Sequence, residues 1–423
     1  MPTHFRPAIL LCPLWWLTSA AGSDAVPASH FVFSGAASDG AVRVAATDDF
    51  DSARGFGFDL GTRPGAGRPF FFSVGEPEGS YRVTVILGDA RAAGDTTVRA
   101  ESRQLMLESV ATRSGDSVRR QFLVNVRRPG IPPPPRHAPG GTTVLLNERE
   151  KGLLRWDDKL TLEFDGPAPA VSAIDIEPAP GPVVYLAGDS TVTDQPAEPG
   201  ASWGQMLPRF LPGVVVANHA ESGETLKSFL SELRLAKILS QIHPGDYLFI
   251  QFGHNDEKQS WPQTYADPAM TFPAYLRVFI AEARARGATP VLVTPMQRRM
   301  FDAHGRIRNS HGAYPQAVRG VAAAEHVPLI DLETMSIAFL EALGTDRSAL
   351  AFPSGGRDIT HTNDYGGYEL ARCMAQGIRD SGLPLARFLA PDFTGFDPSR
   401  PDPPENFHLP PSVQHSNDPP RSN

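Results

Sequence analysis

The chain has 423 residues, of which 41% are hydrophobic, and a formal net charge of −8. This length predicts about two domains with cores of their own, because single domains usually run to roughly 100–200 residues. The negative charge, with no basic cluster on a predicted helix, argues against a nucleic-acid partner. It is compatible with a neutral or weakly charged substrate.

The first residues are typical of an export signal, which we predict over residues 1–22. His4 and Arg6 give a weakly basic start, residues 8–17 are apolar, and small residues such as Ala21 follow. The apolar stretch is too short to cross a bilayer of about 30 Å, and no later stretch is long enough. We therefore expect a secreted or periplasmic protein without a membrane partner.

Residues 28–178 carry short runs in which apolar and polar side chains alternate. One run is formed by Tyr81, Val83, Val85 and Leu87, and similar runs occur near positions 56–60, 122–126 and 160–164. Alternation with a period of two indicates strands with one buried face. Many such strands without helices predict an all-β sandwich domain.

The pattern changes after a Pro-rich boundary at residues 178–182. Short, nearly continuous apolar runs such as Val183 to Ala187 fit strands that are buried on both faces of a parallel sheet. Helical spacing lies between them, for example Phe229, Leu233, Ile238 and Ile242. We predict an α/β domain with three α/β/α layers over residues 183–392 and a disordered Pro-rich tail over 393–423.

Polar clusters follow four of the predicted elements. Ligands of open parallel sheets bind outside the carboxyl ends of the strands, so these clusters should share one rim. The clusters are Gly188-Asp189-Ser190-Thr191, the stretch 218–223, Gly253-His254-Asn255-Asp256 and Asp358-Ile359-Thr360-His361.

Together these clusters contain the groups needed for acyl transfer. A serine hydroxyl such as that of Ser190 needs a base within hydrogen-bond reach, and His361 can take and return its proton. Asp358 can hold the imidazole tautomer and stabilise the imidazolium. We predict Ser190, Asp358 and His361 as the catalytic residues.

The tetrahedral intermediate of acyl transfer carries an oxyanion that needs fixed hydrogen-bond donors. We expect these donors to be the backbone N–H groups of Ser190 and Gly223 and the side-chain amide of Asn255. Each residue alone is more often a turn or capping residue. Their conjunction in order along one predicted rim favours catalysis.

These blocks resemble the GDSL/SGNH hydrolases, whose Ser, Gly, Asn and His correspond to Ser190, Gly223, Asn255 and His361. The resemblance covers about Val183 to Leu389. The stretches YLAGDSTVTD, SWGQMLPRF, QFGHND and DITHTNDYGGYELARC are similar to rhamnogalacturonan acetylesterases. The resemblance implies removal of acetyl groups from pectin without a cofactor, and an N-terminal sandwich similar to galactose-binding-like domains.

Other interpretations of the same residues remain open. A G-x-S-x-G match at Gly200–Gly204 follows a Pro-rich loop, not a strand, which disfavours a nucleophile elbow at Ser202. A metal site at His254 and Asp256 lacks any HxH, HExxH or CxxC spacing, so we expect no metal and assign both residues to supporting Asn255. Glu224 stands where many relatives carry a basic residue, which leaves the charge preference of a subsite open.

The sequence suggests a substrate without fixing it. Trp203, Trp261 and Tyr365 could stack on sugar rings or fill the core, and Arg298 and Arg299 could meet uronic-acid carboxylates or solvent. We expect a monomer that acts on an acetylated plant cell-wall polysaccharide or oligosaccharide. The alternatives are an acetylxylan esterase or general acetylesterase, a non-catalytic carbohydrate-binding protein and a metal-dependent phosphoesterase.

Overall fold

The structure is a computed structural model that describes residues 28–35, 39–65 and 67–414. The predicted export signal and residues 415–423 of the predicted tail lie outside the described residues. Within the described ranges the strands are β1 Ser29–Val32, β2 Val42–Arg43, β3 Phe56–Asp59, β4 Phe70–Gly75, β5 Gly79–Leu87, β6 Gly94–Ala100, β7 Gln104–Thr112, β8 Val118–Val126, β9 Lys159–Ala168, β10 Val171–Pro178, β11 Val183–Gly188, β12 Val215–Asn218, β13 Tyr247–Gln251, β14 Thr289–Val293 and β15 Leu329–Ile330.

The first ten strands form two sheets that pack face to face. Their orders are β2-β1-β10-β5-β8 and β3-β4-β9-β6-β7, and all pairs are antiparallel except β1 with β2. The inward side chains, such as Val83 and Val85 on β5, Phe72 on β4 and Leu162 on β9, are fully buried in one shared core. The alternation of apolar and polar side chains therefore leads to the β-sandwich that was predicted from it.

The last five strands form a parallel sheet in the order β12-β11-β13-β14-β15. Val184 and Leu186 of β11 enter the core on one face, while Tyr185 and Ala187 enter the core on the other. The α-helices that accompany the sheet are α1 Trp203–Met206, α2 Leu226–Ser231, α3 Arg234–Leu239, α4 Thr271–Ala285, α5 Tyr314–Glu325, α6 Leu332–Arg347, α7 Pro353–Gly356 and α8 Asp364–Asp380.

Helices cover both faces of this sheet. Phe279 of α4 and Val318 of α5 pack on one face, and Phe339 of α6 and Leu370 of α8 pack on the other. The predicted α/β/α class with a preceding sandwich is thus confirmed. The change from antiparallel to parallel pairing falls between Pro178 and Val183, and we propose residues 28–178 and 183–392 as the two domains.

The expected helical stripe from Phe229 to Ile242 is broken into α2 and α3. Leu233 lies between them in the left-handed region, with φ of 64°. The break leaves the carbonyl of Glu232 to accept a hydrogen bond from the backbone N–H of Leu145 at 3.0 Å. The helix is interrupted where a second chain segment docks on it.

That segment is residues 127–158, the long connection between β8 and β9, which we name the arm. It carries a 3₁₀ helix, Leu154–Trp156, and packs against the α/β domain. In the arm, Glu150 forms a buried ion pair with Arg234 of α3 at 2.6 Å. A turn between two strands would not explain this length, and the arm is the first physical link between the two domains.

A second link joins the sandwich directly to the loop after β11. Arg103 donates to the carbonyl of Gly200 at 2.8 Å, and Gln104 donates to the carboxylate of Asp194 at 2.9 Å. In return, Gln205 donates to the carbonyl of Ser102 at 2.9 Å. All of these side chains are buried, so the contact between the two domains is polar and shielded from solvent.

The structure corrects the predicted disorder of the tail over residues 393–414. Phe393 and Phe396 are buried against the α/β domain, and the tail then crosses to the sandwich. There the hydroxyl of Ser412 donates to Glu163 of β9 at 2.6 Å, while its backbone N–H donates to Glu198 of the α/β domain at 3.1 Å. The tail has a low average hydrophobicity, but its few aromatic side chains are spaced so that they can pack on the domain. Its prolines are stiff, so the tail loses less conformational entropy when it becomes ordered.

Deleting residues 393–423 should therefore lower the melting temperature. Removing even one buried phenylalanine side chain costs about 3–5 kcal/mol, and each kcal/mol shifts the midpoint by about 2–4 °C in a domain of this size. We expect a drop of at least about 6 °C in thermal unfolding followed by circular dichroism. The control is a chain that ends at Gln414, which keeps every described contact of the tail. Equal melting temperatures for the two truncated chains would contradict the packing of the tail.

Candidate active site

Ser190 lies in a tight turn directly after β11. The carboxylate of Asp189 accepts hydrogen bonds from the backbone N–H of Thr191 at 3.0 Å and from its hydroxyl at 2.8 Å. A side chain at Gly188 would meet Val192 at 2.6 Å, so glycine is required where the turn folds back on the strand. The turn thus presents Ser190 at the carboxyl end of the sheet.

His361 reaches this turn from the loop before α8. Its Nε2 lies 2.9 Å from the Ser190 hydroxyl oxygen, and its Nδ1 lies 2.8 Å from a carboxylate oxygen of Asp358. The other oxygen of Asp358 accepts the backbone N–H groups of Thr360 and His361 at 2.8 and 2.9 Å. The structure therefore joins all three predicted catalytic residues in one chain of hydrogen bonds.

Electrostatic interactions keep the Asp358 carboxyl ionised, as the hydrogen bonds to His361 require. Burial alone would raise its pKa, but the hydrogen bond and charge of His361 and the two backbone N–H groups outweigh it, so the pKa of Asp358 lies below its ordinary value. An ionised carboxylate accepts a hydrogen bond from Nδ1–H, and Nε2 is then left without a proton as an acceptor for the serine hydroxyl. His361 can then act as the base.

The loop after β12 brings Gly223 to the same rim. The backbone N–H of Glu221 donates to the carbonyl of Gly188 at 3.2 Å, and the hydroxyl of Thr193 donates to the carbonyl of Ala220 at 2.8 Å. Gly223 has φ of 85°, in the left-handed region that favours glycine. Hydrogen bonds therefore join this loop to residues on both sides of Ser190 in the turn.

Asn255 follows β13 and contacts this loop. Its side-chain N–H₂ donates to the carbonyl of Glu224 at 3.0 Å, and its side-chain oxygen accepts the ammonium of Lys258 at 2.8 Å. These two bonds fix which end of the amide faces the loop, and they leave the second amide hydrogen for a ligand.

Two backbone donors at the rim are also available. In the part of the chain that the structure describes, the backbone N–H groups of Ser190 and Gly223 donate to no protein oxygen. Buried donors without partners are rare in folded proteins. Together with the Asn255 amide, they make a set that can hold a developing oxyanion.

Replacing Asn255 by alanine should reduce kcat by about 10²–10³-fold with little change in KM, because the lost donor acts on the transition state. Steady-state hydrolysis of a chromogenic acetate measures this effect. Asn406→Ala, which alters an exposed residue of the tail, is the matched control. A kcat of the Asn255 variant equal to that of the control would remove Asn255 from the donor set.

The neighbours of Asn255 hold its loop in place. Asp256 accepts the backbone N–H groups of Leu226 at 2.9 Å and of Gly253 at 3.0 Å, which ties the loop to α2. The His254 ring lies 3.3 Å from the carboxylate of Asp189. Burial lowers the pKa of His254 to about 4, with the charge of Asp189 opposing that shift, so the ring is neutral at pH 7.

The aromatic residues and arginines considered as substrate contacts differ in how exposed their side chains are. Trp203 and Tyr365 are 1% and 4% exposed and belong to the core, whereas Trp261 is 40% exposed. Arg298 is paired with Glu257 at 2.7 Å and Arg299 donates to Ser348 at 2.9 Å. Both arginines thus bind residues of other segments of the same domain. Of the three aromatics, Trp261 is the one that remains open to a ligand.

Two further predictions concern Ser202 and Glu224. The hydroxyl of Ser202 is buried, donates to the carbonyl of Val192 at 2.8 Å and caps α1, so it is a structural serine. Glu224 is buried and lies 3.2 Å from the guanidinium of Arg234. Burial raises the pKa of its carboxyl well above the ordinary value, and the charge of Arg234 opposes that shift.

Sequence reasoning missed the cationic residues around the loop between β12 and α2, residues 219–225, which we name the oxyanion loop for its expected role. Arg149 of the arm donates to Glu221 at 2.9 Å and also to the carbonyl of Ser222, and Arg155 pairs with the same Glu221. Nothing in their local pattern distinguishes them from solvated arginines. Lys258 was detectable, because it stands three residues after Asn255 within one turn.

In the described ranges, no three histidine, cysteine, aspartate or glutamate side chains are grouped so as to hold a metal ion. Across residues 28–35, 39–65 and 67–414, no helix has the length and apolar character required to cross a bilayer.

Comparison with known proteins places this rim in a family. Residues 186–367 match the model of the GDSL-like lipase/acylhydrolase family. The rhamnogalacturonan acetylesterase RhgT of Bacillus subtilis (strain 168) is 43% identical over 216 residues, which is 48% of this chain and 91% of that protein. The uncharacterized esterase YxiM of the same organism is 27% identical over 376 residues, 83% of this chain and 90% of that protein.

A crystal structure of YxiM is also similar. It shares 26% sequence identity, covers 85% of this chain and 99% of its own chain, and superposes with a TM-score of 0.48. The family match lies within the parallel-sheet domain, and it includes Ser190, Gly223, Asn255 and His361. This chain belongs to the GDSL-like lipase/acylhydrolase family and is an esterase.

Proposed function

We propose that the chain is an exported carbohydrate esterase that removes acetyl groups from the rhamnogalacturonan of pectin. The observation that carries the proposal is the hydrogen-bonded chain from Asp358 through His361 to Ser190, which lies beside the donors of Gly223 and Asn255. The relatives supply the substrate class, because RhgT is named a rhamnogalacturonan acetylesterase. A second relative with that name, from Emericella nidulans, is 26% identical over 232 residues.

The first half of the reaction forms an acetyl-enzyme. The Ser190 oxygen attacks the acetyl carbonyl carbon while its proton passes to Nε2 of His361, 2.9 Å away. The resulting oxyanion is held by the backbone N–H groups of Ser190 and Gly223 and by the Asn255 amide. The bond to the sugar oxygen then breaks, and that oxygen leaves with the proton from His361.

The second half returns the enzyme to its starting state. Water enters, gives a proton to His361 and attacks the acetyl carbonyl carbon, and the same donors hold the second oxyanion. The bond to the Ser190 oxygen breaks, the serine regains its proton from His361, and acetate departs. Asp358 stays ionised throughout and stabilises the transient imidazolium, which agrees with its lowered pKa.

Acetate release from three substrates tests this proposal. These are acetylated rhamnogalacturonan, acetylated xylan and a chromogenic acetate, each assayed by coupled detection of free acetate. We expect the highest kcat/KM on rhamnogalacturonan. A higher value on xylan would identify an acetylxylan esterase, and hydrolysis of the chromogenic acetate alone would identify a general acetylesterase; either outcome would overturn the assignment of substrate.

Export is part of the proposal, since a pectin polymer does not enter cells. It rests on the apolar residues 8–17 and the small residues that follow. N-terminal sequencing of the protein recovered from culture medium or periplasm should find a chain that begins close to residue 23. A chain that retains residues 1–22 inside the cell would contradict export.

A further inference from the structure

A cavity of about 700 Å³ lies next to the oxyanion loop. Gly223 is one of its lining residues, and the cavity therefore begins at a proposed oxyanion donor. Its volume is within the range of roughly 300–1,000 Å³ that is typical of ligand sites. The residues that line it are Asn147, Glu148, Arg149, Ser222, Gly223, Glu224, Ser228, Glu232, Trp261 and Thr264.

One wall of this cavity comes from the arm. Asn147, Glu148 and Arg149 precede the α/β domain by more than thirty positions in the chain. They are brought to the site because Glu150 is buried and ion-paired with Arg234 at 2.6 Å, and because Leu145 donates to Glu232 at 3.0 Å. The wall is therefore anchored on both sides and is not a loosely placed loop.

Arg149 connects that wall to the catalytic loop. Its Nε donates to Glu221 at 2.9 Å, and its Nη2 donates to the carbonyl of Ser222. That carbonyl and the N–H of Gly223 belong to the same peptide group. Arg149 thus holds the loop that provides an oxyanion donor, while part of its side chain, 29% by area, stays exposed.

The opposite wall carries the exposed aromatic. Trp261 is 40% exposed, and the ammonium of Lys258 lies 4.7 Å from the centroid of its ring. The same ammonium donates to the side-chain oxygen of Asn255 at 2.8 Å. A single lysine therefore fixes both the oxyanion amide and the platform at the edge of the cavity.

We propose that this cavity binds the sugar unit next to the acetylated one, with its ring stacked on Trp261 and its hydroxyls facing the polar wall of the arm. An indole offers a large flat apolar face for a sugar ring, and the carboxylates and amides of Glu148, Asn147 and Glu232 are acceptors and donors for hydroxyl groups. The inference rests on the proposed function, and it adds that the region before the α/β domain takes part in substrate selection.

Trp261→Ala tests the platform through two substrates of different length. For acetylated rhamnogalacturonan oligosaccharides, we expect KM to rise about five- to tenfold, as for loss of one aromatic contact, with kcat little changed. For a chromogenic acetate, which is too small to fill the cavity, both constants should stay within about twofold. Trp261→Phe should retain most of the oligosaccharide affinity, and Val278→Ala, an exposed apolar residue on α4, is the control.

Two results would overturn the subsite. One is an unchanged KM for the oligosaccharides in Trp261→Ala, and the other is an equal loss on the chromogenic acetate, which would indicate a structural role. Failure of the proposed function gives a different signature, because the wild-type enzyme would then release no acetate from the oligosaccharides while still cleaving the chromogenic ester.

Arg149 acts as a positioning residue, and its variant should behave differently from that of Trp261. Arg149→Met should lower kcat on both substrates by about 10- to 100-fold, because a small displacement of the donor loop suffices, with KM for the chromogenic acetate unchanged. Arg149→Lys should recover part of kcat. Wild-type kcat in Arg149→Met would show that Arg149 does not position the oxyanion loop.

Discussion

Ser190→Ala should abolish esterase activity, with a fall in kcat of about 10⁴–10⁶-fold on every acetyl ester tested. The hydroxyl is the nucleophile of the proposed mechanism, and its oxygen lies 2.9 Å from the ring nitrogen that takes its proton. The variant should fold normally, since the serine side chain has its described hydrogen bond with His361 and fills no apolar core. Initial rates at saturating chromogenic acetate, with thermal unfolding beside them, measure both properties.

Ser202→Ala is the informative control for this experiment. Ser202 is the serine of the G-x-S-x-G match, and it caps α1 instead of facing the rim. Loss of the cap should cost about 1 kcal/mol of stability and leave kcat of the folded protein near wild type. Activity that survives in Ser190→Ala would reject the acyl-enzyme route. If a chelator then abolished this surviving activity, the result would favour a metal-dependent phosphoesterase.

Asp358→Asn should lower kcat by about 10⁴-fold while the fold stays intact. An asparagine side-chain oxygen can still accept the backbone N–H groups of Thr360 and His361, as the aspartate does at 2.8 and 2.9 Å. Its N–H₂ group would then face Nδ1 of the imidazole and would favour the tautomer with the proton on Nε2. That proton removes the acceptor that Ser190 requires.

The pH profile separates this loss from a change in structure. We expect kcat of Asp358→Asn to be low across the neutral range, with an unchanged melting temperature near pH 7. Asp358→Ala serves as the second variant, since it also removes the loop hydrogen bonds and should be less stable. A kcat of Asp358→Asn within about tenfold of the wild type would exclude a tautomer-holding role for this carboxylate.

Much of the fold could be predicted from the sequence because its two periodicities are strong. Strands with one wet face alternate, as Tyr81 to Leu87 do, and strands buried on both faces are continuously apolar, as Val183 to Ala187 are. The placement of Ser190, Gly223 and Asn255 at one rim was predictable for a related reason. Parallel strands end at one edge, so the residues that follow β11, β12 and β13 had to gather there.

The arm and the tail could not be predicted in this way. Their contacts are made by single residues with no repeating pattern, such as Glu150 with Arg234 in the arm and Ser412 with Glu163 in the tail. The break at Leu233 is equally invisible, because leucine favours helix and nothing in the local pattern indicates its left-handed φ of 64°. Tertiary contacts decided these segments, and local propensity did not.

Labelling with a fluorophosphonate, which reacts covalently with activated serines, tests the central claim most directly. The account predicts one label per molecule, located by peptide mass mapping on Ser190, and no label in His361→Ala at matched concentration and time. Label on Ser202 or on any other residue, with Ser190 unmodified and acetyl-ester hydrolysis blocked, would contradict it.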